Sequence, residues 1–265
     1  MRPTIQNCRE ILARLVSLAE RAPNIAANTE DIHTAGPEYH SLMNSFRMHS
    51  VSAARSLEHL YQAFGEDRFP TTVGYAIVRP MFEIDVTSHY ITEDPAVRAS
   101  RFIRFGYIVE KRRMDACAKH RNSGDPAWSG RLQAEWDLCW ASREQDITKQ
   151  CDTFLSTYLP SGKRSTLRRY WSGLTLREIA EKVNHEAAYD LFYADLSSFA
   201  HADVRLPDRF LRINQDGMHW TDKARPHDVF KVFEYSIIFL ECFLRLFGRQ
   251  FGSWKEKELI EVWRS

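Results

Sequence analysis

Two Asp-Pro dipeptides, at positions 94–95 and 125–126, constrain the fold of this chain more than any other local feature. Aspartate is a good N-cap residue, and proline suits the first helical position because the N–H that it lacks would have no partner within the helix. Each dipeptide therefore predicts the start of a long helix. One is expected over about 95–121 and the other over about 126–157.

Helical signals also dominate the rest of the chain. Apolar residues recur with the period of an α-helix, and prolines, glycines and capping residues mark the ends. Residues 24–36 are polar and are expected to form a loop. The further helices predicted are one from Ile5 that stops at Pro23, one over about 38–64, an apolar helix over about 71–91 that contains Pro80, a short helix from the Thr175/Glu178 capping box to Val183, one over about 186–201, one over about 226–247, and a short amphipathic tail to Trp263.

One stretch has the character of β-strand. Residues 209–220 alternate modestly in polarity around Asp216-Gly217, a dipeptide typical of hairpin turns. The chain is therefore predicted to be all-α, an irregular multi-helix bundle with at most one small β-hairpin near 209–220. We expect residues 1–265 to form a single helical domain, in which residues 1–36 supply a loosely attached N-terminal helix and linker.

Hydrophobicity argues against a membrane-spanning protein, and the overall charge gives no support for a nucleic-acid partner, which stays possible. The net charge is +1, so nothing in the overall balance indicates binding to nucleic acid or to an anionic membrane. The most apolar stretch, 235–247, is too short to span a bilayer and contains Glu241 and Arg245. We expect it to be a buried helix of a soluble protein. Whether the chain forms oligomers stays open.

The five cysteines are scattered and form no CxxC pair, so neither a zinc knuckle nor a disulfide framework is predicted. Free thiols are typical of a reducing compartment. The N-terminal segment has Arg9, Glu10 and Arg14 among its apolar residues, and it therefore lacks the uninterrupted apolar core of a signal peptide. We expect a cytoplasmic protein.

Four polar residues stand four positions apart near the end of the 186–201 helix: Tyr189, Tyr193, Ser197 and His201. Such residues lie one above the other on a helix, with a drift of about 40° per step. This tyrosine–histidine series is interpreted in two ways. In the first, the series forms a pocket wall in which His201 acts as acid, base or phosphate ligand. In the second, His201 is a structural residue whose positive charge suits the helix C-terminus.

Arg79 and Glu83 form a second candidate site, four residues apart across Pro80 in an otherwise apolar helix. Opposite charges in such a helix are costly unless they are paired and hydrogen-bonded. The pair is therefore interpreted either as an anion-binding or orienting group, or as an internal ion pair that fixes helix packing.

Familiar catalytic motifs are absent. The sequence contains no GxxxxGK[ST], GxGxxG, GxSxG or HExxH, and no cofactor or metal site is predicted. Arg113 with His120, and Arg212 with His219, match the Arg-x4–6-His spacing of the helical HEPN ribonucleases. About three such matches are expected by chance in this composition, so the two carry no signal.

Three runs of sequence, in order, resemble one protein family. They are VRPMFEIDVTSHYITEDPAVRASRFIRFGY, YWSGLTLREIAEKV and YDLFYADLSSFAHAD. Over about residues 45–205 the chain resembles the bacterial domain-of-unknown-function family 5677. The family's motif positions correspond here to Arg79, Glu83, Tyr90, Asp94-Pro95, Trp171-Ser172-Gly173, Tyr189, Tyr193, Ser197 and His201. The resemblance implies an all-helical, cytoplasmic bacterial protein, and it pairs the two candidate sites.

Two functions compete at this point. In the first, the chain is a binding or regulatory protein whose buried polar pocket holds a small polar or anionic ligand. In the second, it is a HEPN-like, metal-independent ribonuclease of toxin or phage-defence type, with His201 as general base and Arg79 stabilising phosphate charge. The candidate ligand-binding residues are Arg79, Glu83, Tyr189, Tyr193, Ser197 and His201. Both functions require these residues to meet in space.

Overall fold

A computed structural model of the chain describes residues 4–22, 32–121, 126–158, 170–193, 195–197, 211–214, 217–220, 223–254 and 256–264. Its helices are α1 (Ile5–Arg21), α2 (Ile32–Phe64), α3 (Thr71–Thr92), α4 (Pro95–Arg121), α5 (Pro126–Glu135), α6 (Glu144–Tyr158), α7 (Leu176–Lys182), α8 (Glu186–Ala188), α9 (Pro226–Phe251) and α10 (Glu256–Arg264). Two π-helical turns follow α5 and α8, at Trp136–Trp140 and Tyr189–Tyr193. The predicted all-α class is confirmed.

The small predicted hairpin is also present. Strands β1 (Leu211–Asn214) and β2 (Gly217–Trp220) pair antiparallel, with Leu211 opposite Trp220 and Asn214 opposite Gly217. Gly217, which the sequence assigns to the turn, already pairs within β2, opposite Asn214. Asp216 lies outside the described residues.

The chain divides into two compact units, residues 1–93 with 176–265, and residues 94–175. In the first unit, α9 packs against α1, α2 and α3. The core of this unit is rich in phenylalanine, and five of these side chains are at most 1% exposed: Phe82, Phe233, Phe239, Phe243 and Phe247. The burial of bulky rings stabilises the unit through the large apolar area that each removes from water. No helix in the described part of the chain combines the length and the apolar character needed to cross a membrane.

Helix α1 begins at a capping box. Thr4 Oγ1 accepts a hydrogen bond from the backbone N–H of Asn7 at 3.2 Å, and Asn7 Oδ1 accepts one from the backbone N–H of Thr4 at 3.0 Å. Near the other end of the helix, buried Arg47 of α2 donates from Nη1 to the Ala19 carbonyl at 2.6 Å. These contacts fix α1 within the first unit, where it packs against both α2 and α9.

Helix α2 starts earlier than predicted. Residues 32–35 are already helical, although the sequence predicts a loop up to residue 36. Gly36 then leaves the helical region, with φ 78° and ψ 155°, and Pro37 follows it. This combination of a positive φ with an extended ψ is essentially restricted to glycine, which has no Cβ. Gly36 therefore separates a short helical turn from the long helix that continues to Phe64.

The second unit contains α4, α5 and α6, and it corrects one predicted helix. The helix expected over 126–157 is interrupted by the π-turn at Trp136–Trp140, where the Ala141 N–H donates to the Trp136 carbonyl at 3.0 Å. Both tryptophans are buried in one cluster with Met114, Cys117 and Ile147. Both rings thus lie in the same core, and the π-turn that interrupts the helix there is a feature that the helical period does not predict.

The predicted helix over 186–201 also differs. Residues 186–188 are α-helical, Tyr189–Tyr193 form a π-turn, and 195–197 are helical again. Residues 198–201, including His201, lie outside the described part of the chain.

Candidate functional site

The candidate site lies in the first unit, where α3 contacts residues 185–193. We call these nine residues the tyrosine segment. Arg79 contacts Tyr193, Phe82 contacts Tyr189, and Asp85 contacts His185. As the position on α3 increases, the position on the tyrosine segment decreases, so the two run antiparallel. Polar groups meet at both ends of this contact.

A turn at Asn184 directs the tyrosine segment back along α3. Asn184 has a positive φ of 60°. The His185 N–H donates to the Ala180 carbonyl at 2.7 Å, and the Val183 N–H donates to the Ile179 carbonyl at 3.1 Å. Asparagine tolerates the left-handed conformation that ends many helices in this way. The sequence Val-Asn-His thus ends α7 and places His185 at the start of the tyrosine segment.

At one end of the contact, Glu83 and Tyr193 both hold Arg79. Its Nε donates to Glu83 Oε1 at 2.9 Å, and its Nη2 donates to the Tyr193 hydroxyl oxygen at 2.8 Å. The Arg79 side chain is 21% exposed and that of Glu83 is 40% exposed. The guanidinium is therefore oriented by residues of α3 and of the tyrosine segment, while the site stays accessible from solvent. We call Arg79, Glu83 and Tyr193 the arginine site.

The two tyrosines form a stacked pair beside Arg79. The ring centroids of Tyr189 and Tyr193 are 4.7 Å apart and their planes differ by 19°. Phe82, which is fully buried, contacts both rings, at 6.3 Å and 5.7 Å. Packing of this kind restricts the rotamers of the tyrosines and so fixes the position of the Tyr193 hydroxyl.

Burial and charge shift the acid–base behaviour of the arginine site. Burial raises the pKa of Tyr193, and the charge of Arg79 only partly opposes this effect. Burial is the largest single effect on Arg79 and would lower its pKa, but the hydrogen bonds and charge interactions with Glu83 and Tyr193 together outweigh burial and raise the pKa. At neutral pH the site therefore combines a charged guanidinium with a neutral phenol.

At the other end of the contact, a buried carboxylate meets two histidines. Asp85 Oδ1 lies 3.2 Å from His89 Nδ1, and Asp85 Oδ2 lies 3.4 Å from His185 Nε2. The two imidazole centroids are 4.6 Å apart. The hydrogen bond to Asp85 raises the pKa of His185, although burial opposes it. We call these three residues the histidine site.

The family model for DUF5677, a family of unknown function, matches residues 40–219. The chain belongs to this family. The match extends slightly beyond the 45–205 of the resemblance, and it includes α3 and the tyrosine segment. No curated protein and no solved structure matches the chain.

For this DUF5677 protein, the structure brings together four of the six residues that the sequence indicates. Arg79, Glu83, Tyr189 and Tyr193 form one contiguous group. Ser197 is half-buried in the helical turn at 195–197. His201 lies outside the described residues, so the ribonuclease function, which depends on it, stays a prediction.

The histidine site is not evident from the sequence, which predicts no metal site. Asp85 and His89 stand four residues apart on α3, but nothing in the sequence distinguishes Asp85 from any other polar residue in an apolar run. His185 is distant from both in the chain. The available signal was the presence of Asp85 and His89 on the same face of a central helix. That spacing alone is common, and only the fold shows which third residue joins them.

Proposed function

We propose that this protein binds a small polar or anionic ligand at the arginine site. The observation that carries the proposal is the orientation of Arg79 by Glu83 and Tyr193, which come from two different elements. A guanidinium recognises carboxylate and phosphate oxygens through several N–H groups in a fixed plane. Its prior orientation reduces the entropy that a ligand loses on binding.

The partners of Arg79 add complementary chemistry. Because arginine can only donate, the Tyr193 oxygen accepts from Arg79 and its own O–H is directed elsewhere. In the described part of the chain, Glu83 forms no hydrogen bond except that from Arg79. Its carboxylate can therefore accept from a ligand. A ligand with an anionic or acceptor group and a nearby donor would use all three side chains.

Thermal unfolding of the full chain tests this proposal. The probes are inorganic phosphate, acetate and AMP, with ionic strength matched by sodium chloride. A bound ligand stabilises the folded state by about 2.7 kcal/mol at 100 times its Kd. We expect at least one probe to raise the Tm of the wild type progressively with concentration, and we expect Arg79→Met to abolish this rise.

Arg55→Met is the matched control. Arg55 also forms an ion pair, with Glu20, but its side chain is 59% exposed on α2. This variant should keep the wild-type response, and Tyr193→Phe should reduce it. The absence of any rise in the wild type, or an equal rise in Arg79→Met, would contradict a ligand site at Arg79.

A further inference from the structure

Asp85 is the buried acid of the histidine site, and its side chain is 2% exposed in the middle of α3. A carboxylate that is removed from water must be neutralised or well coordinated, because an isolated buried charge is very costly. The residues around Asp85 coordinate its carboxylate only in part.

The two histidines coordinate Asp85 only loosely. The separations from the carboxylate oxygens are 3.2 Å to His89 and 3.4 Å to His185. Charge-assisted N–H···O hydrogen bonds are shorter, at about 2.7–2.9 Å. In the described part of the chain, the buried atom Asp85 Oδ1 has no hydrogen-bond partner. The carboxylate therefore has coordinating capacity that protein groups leave unused.

The histidine rings are oriented by backbone groups. His185 Nδ1 lies 2.9 Å from the Val183 carbonyl oxygen, which can only accept, so Nδ1 carries a hydrogen. Its Nε2, which faces Asp85, is then the nitrogen available as a ligand. In His89 a single nitrogen, Nδ1, lies 2.9 Å from the Asp85 carbonyl oxygen and 3.2 Å from Asp85 Oδ1, so Nδ1 carries the hydrogen and Nε2 has the free lone pair in the neutral ring. A backbone carbonyl that fixes the ring of a histidine is a common outer-shell feature of metal sites.

We propose that Asp85, His89 and His185 bind a divalent first-row transition-metal ion. One donor atom from each residue lies within 4.8 Å of the others. Adjacent ligands of a tetrahedral zinc ion, with bonds of about 2.0–2.1 Å, are about 3.3 Å apart. The separation of 3.4 Å between Asp85 Oδ2 and His185 Nε2 is close to this value. His89 would complete the set through Nε2, or through Nδ1 after giving up its contact with the Asp85 carbonyl oxygen.

The donor types define the class of ion. Two imidazole nitrogens and one carboxylate suit zinc, iron, cobalt or nickel, whereas magnesium and calcium prefer oxygen ligands. Three protein ligands leave at least one position for water or another small molecule. His89 and His185 are 18% and 19% exposed, which gives an ion access to the site from solvent.

Bound metal would join two separate parts of the first unit. Asp85 and His89 belong to α3, while His185 immediately precedes α8 and the stacked tyrosines. An ion would therefore fix the start of the tyrosine segment on α3. This inference stands on its own residues and does not depend on the ligand proposed for the arginine site.

The test uses the full, tag-free chain after treatment with EDTA and removal of the chelator. Calorimetric titration with Zn²⁺ should show one ion per chain, and Mg²⁺ should show no binding. His89→Gln and His185→Gln should each weaken Zn²⁺ binding at least about tenfold, a loss that even outer-shell substitutions can cause. His49→Gln, which changes an exposed histidine of α2, is the matched control and should bind as the wild type does.

A second measurement needs no variant. Among the ten histidines, the ring nitrogens of only two should shift strongly in NMR spectra of the wild type when one equivalent of Zn²⁺ is added. The proposal is overturned if the wild type does not bind Zn²⁺. It is also overturned if His89→Gln and His185→Gln both keep wild-type affinity, or if the NMR shifts belong to other histidines.

Discussion

The Tyr193 hydroxyl accepts a hydrogen bond of 2.8 Å from Arg79 Nη2, which joins two residues that are 114 positions apart in the chain. The Arg79 guanidinium carbon also lies 5.2 Å from the centroid of the Tyr193 ring. Arg79 is thus held by a helical neighbour, Glu83, and by a residue that only the tertiary fold brings close. The position of the tyrosine segment on α3 determines whether the arginine site exists.

We expect Arg79 and Tyr193 to be energetically coupled. Tyr193→Phe should lower the free energy of unfolding by about 1 kcal/mol, because a hydrogen bond to a charged group is lost while the ring stack is kept. The double variant Arg79→Met/Tyr193→Phe should cost less than the sum of the single variants by about 1 kcal/mol. Urea unfolding of the four proteins measures this coupling.

The control cycle combines Tyr193→Phe with Arg55→Met. Arg55 is paired with Glu20 on the surface, and independent sites are additive to within about 0.5 kcal/mol. If the effects of Arg79→Met and Tyr193→Phe are additive to the same degree, the hydrogen bond between the two residues contributes nothing measurable to stability.

Phe82 packs beneath the stacked tyrosines of the arginine site. Its truncation should lower the free energy of unfolding far more than Tyr193→Phe does. The side chain is fully buried and contacts Tyr189, Tyr193 and Phe239. Phe82→Ala is expected to destabilise the protein by about 3–5 kcal/mol through lost burial and a cavity. Urea unfolding measures the loss, and near-UV circular dichroism should show weaker tyrosine signals. Leu191→Ala, at a position 67% exposed, should change stability by no more than about 0.5 kcal/mol. A similar cost for both variants would contradict this packing role.

Much of the fold could be predicted because its signals are local. The Asp-Pro starts and the proline after α1 act through backbone chemistry that the sequence displays directly. The two π-turns could not be predicted in this way. They coincide with the burial of Trp136 and Trp140 in one cluster and with the stack of Tyr189 on Tyr193 beside Phe82. Both arrangements are made by tertiary neighbours that no local period encodes.

The residues of the arginine site could be predicted in part from the sequence, but their contacts could not. Arg79 and Glu83 could be identified because a charged pair in an apolar helix needs an explanation. The spacing of Tyr189 and Tyr193 indicated one face of a helix. The contact of Tyr193 with Arg79, and that of His185 with Asp85, needed the turn at Asn184 to return the chain along α3. A left-handed asparagine cannot be recognised with assurance from sequence, since asparagine is equally common in ordinary turns.

Gly248 provides a test of the packing between α9 and the segment that follows it. A Cβ at this position would lie 2.5 Å from Trp254 Nε1, closer than van der Waals contact permits. Gly248→Ala is expected to cost about 1–3 kcal/mol through overpacking, despite the higher helix propensity of alanine. Near-UV circular dichroism should report displacement of the Trp254 ring, which stacks on Phe247.

Gly106→Ala is the matched control for that variant. Gly106 is an exposed residue of α4, and a Cβ added there would meet no described atom within 4 Å. The gain in helix propensity should therefore dominate, and stability should rise by about 0.5–1 kcal/mol. If Gly248→Ala also stabilises the protein, Trp254 does not pack closely on α9.

The stability of the first unit should depend on pH through Glu58. A hydrogen bond from Arg9 lowers the pKa of Glu58 below its ordinary value of 4.5, and Arg9 Nε lies 2.9 Å from Glu58 Oε2. The stabilisation is therefore fully present above pH 4.5 and is lost as the pH falls through the lower, folded-state pKa. Glu58→Gln should make the free energy of unfolding less dependent on pH in this acidic range, and added salt should weaken the wild-type dependence. Urea unfolding at a series of pH values measures both slopes. Equal slopes for the two proteins would show that Arg9 and Glu58 do not interact in solution.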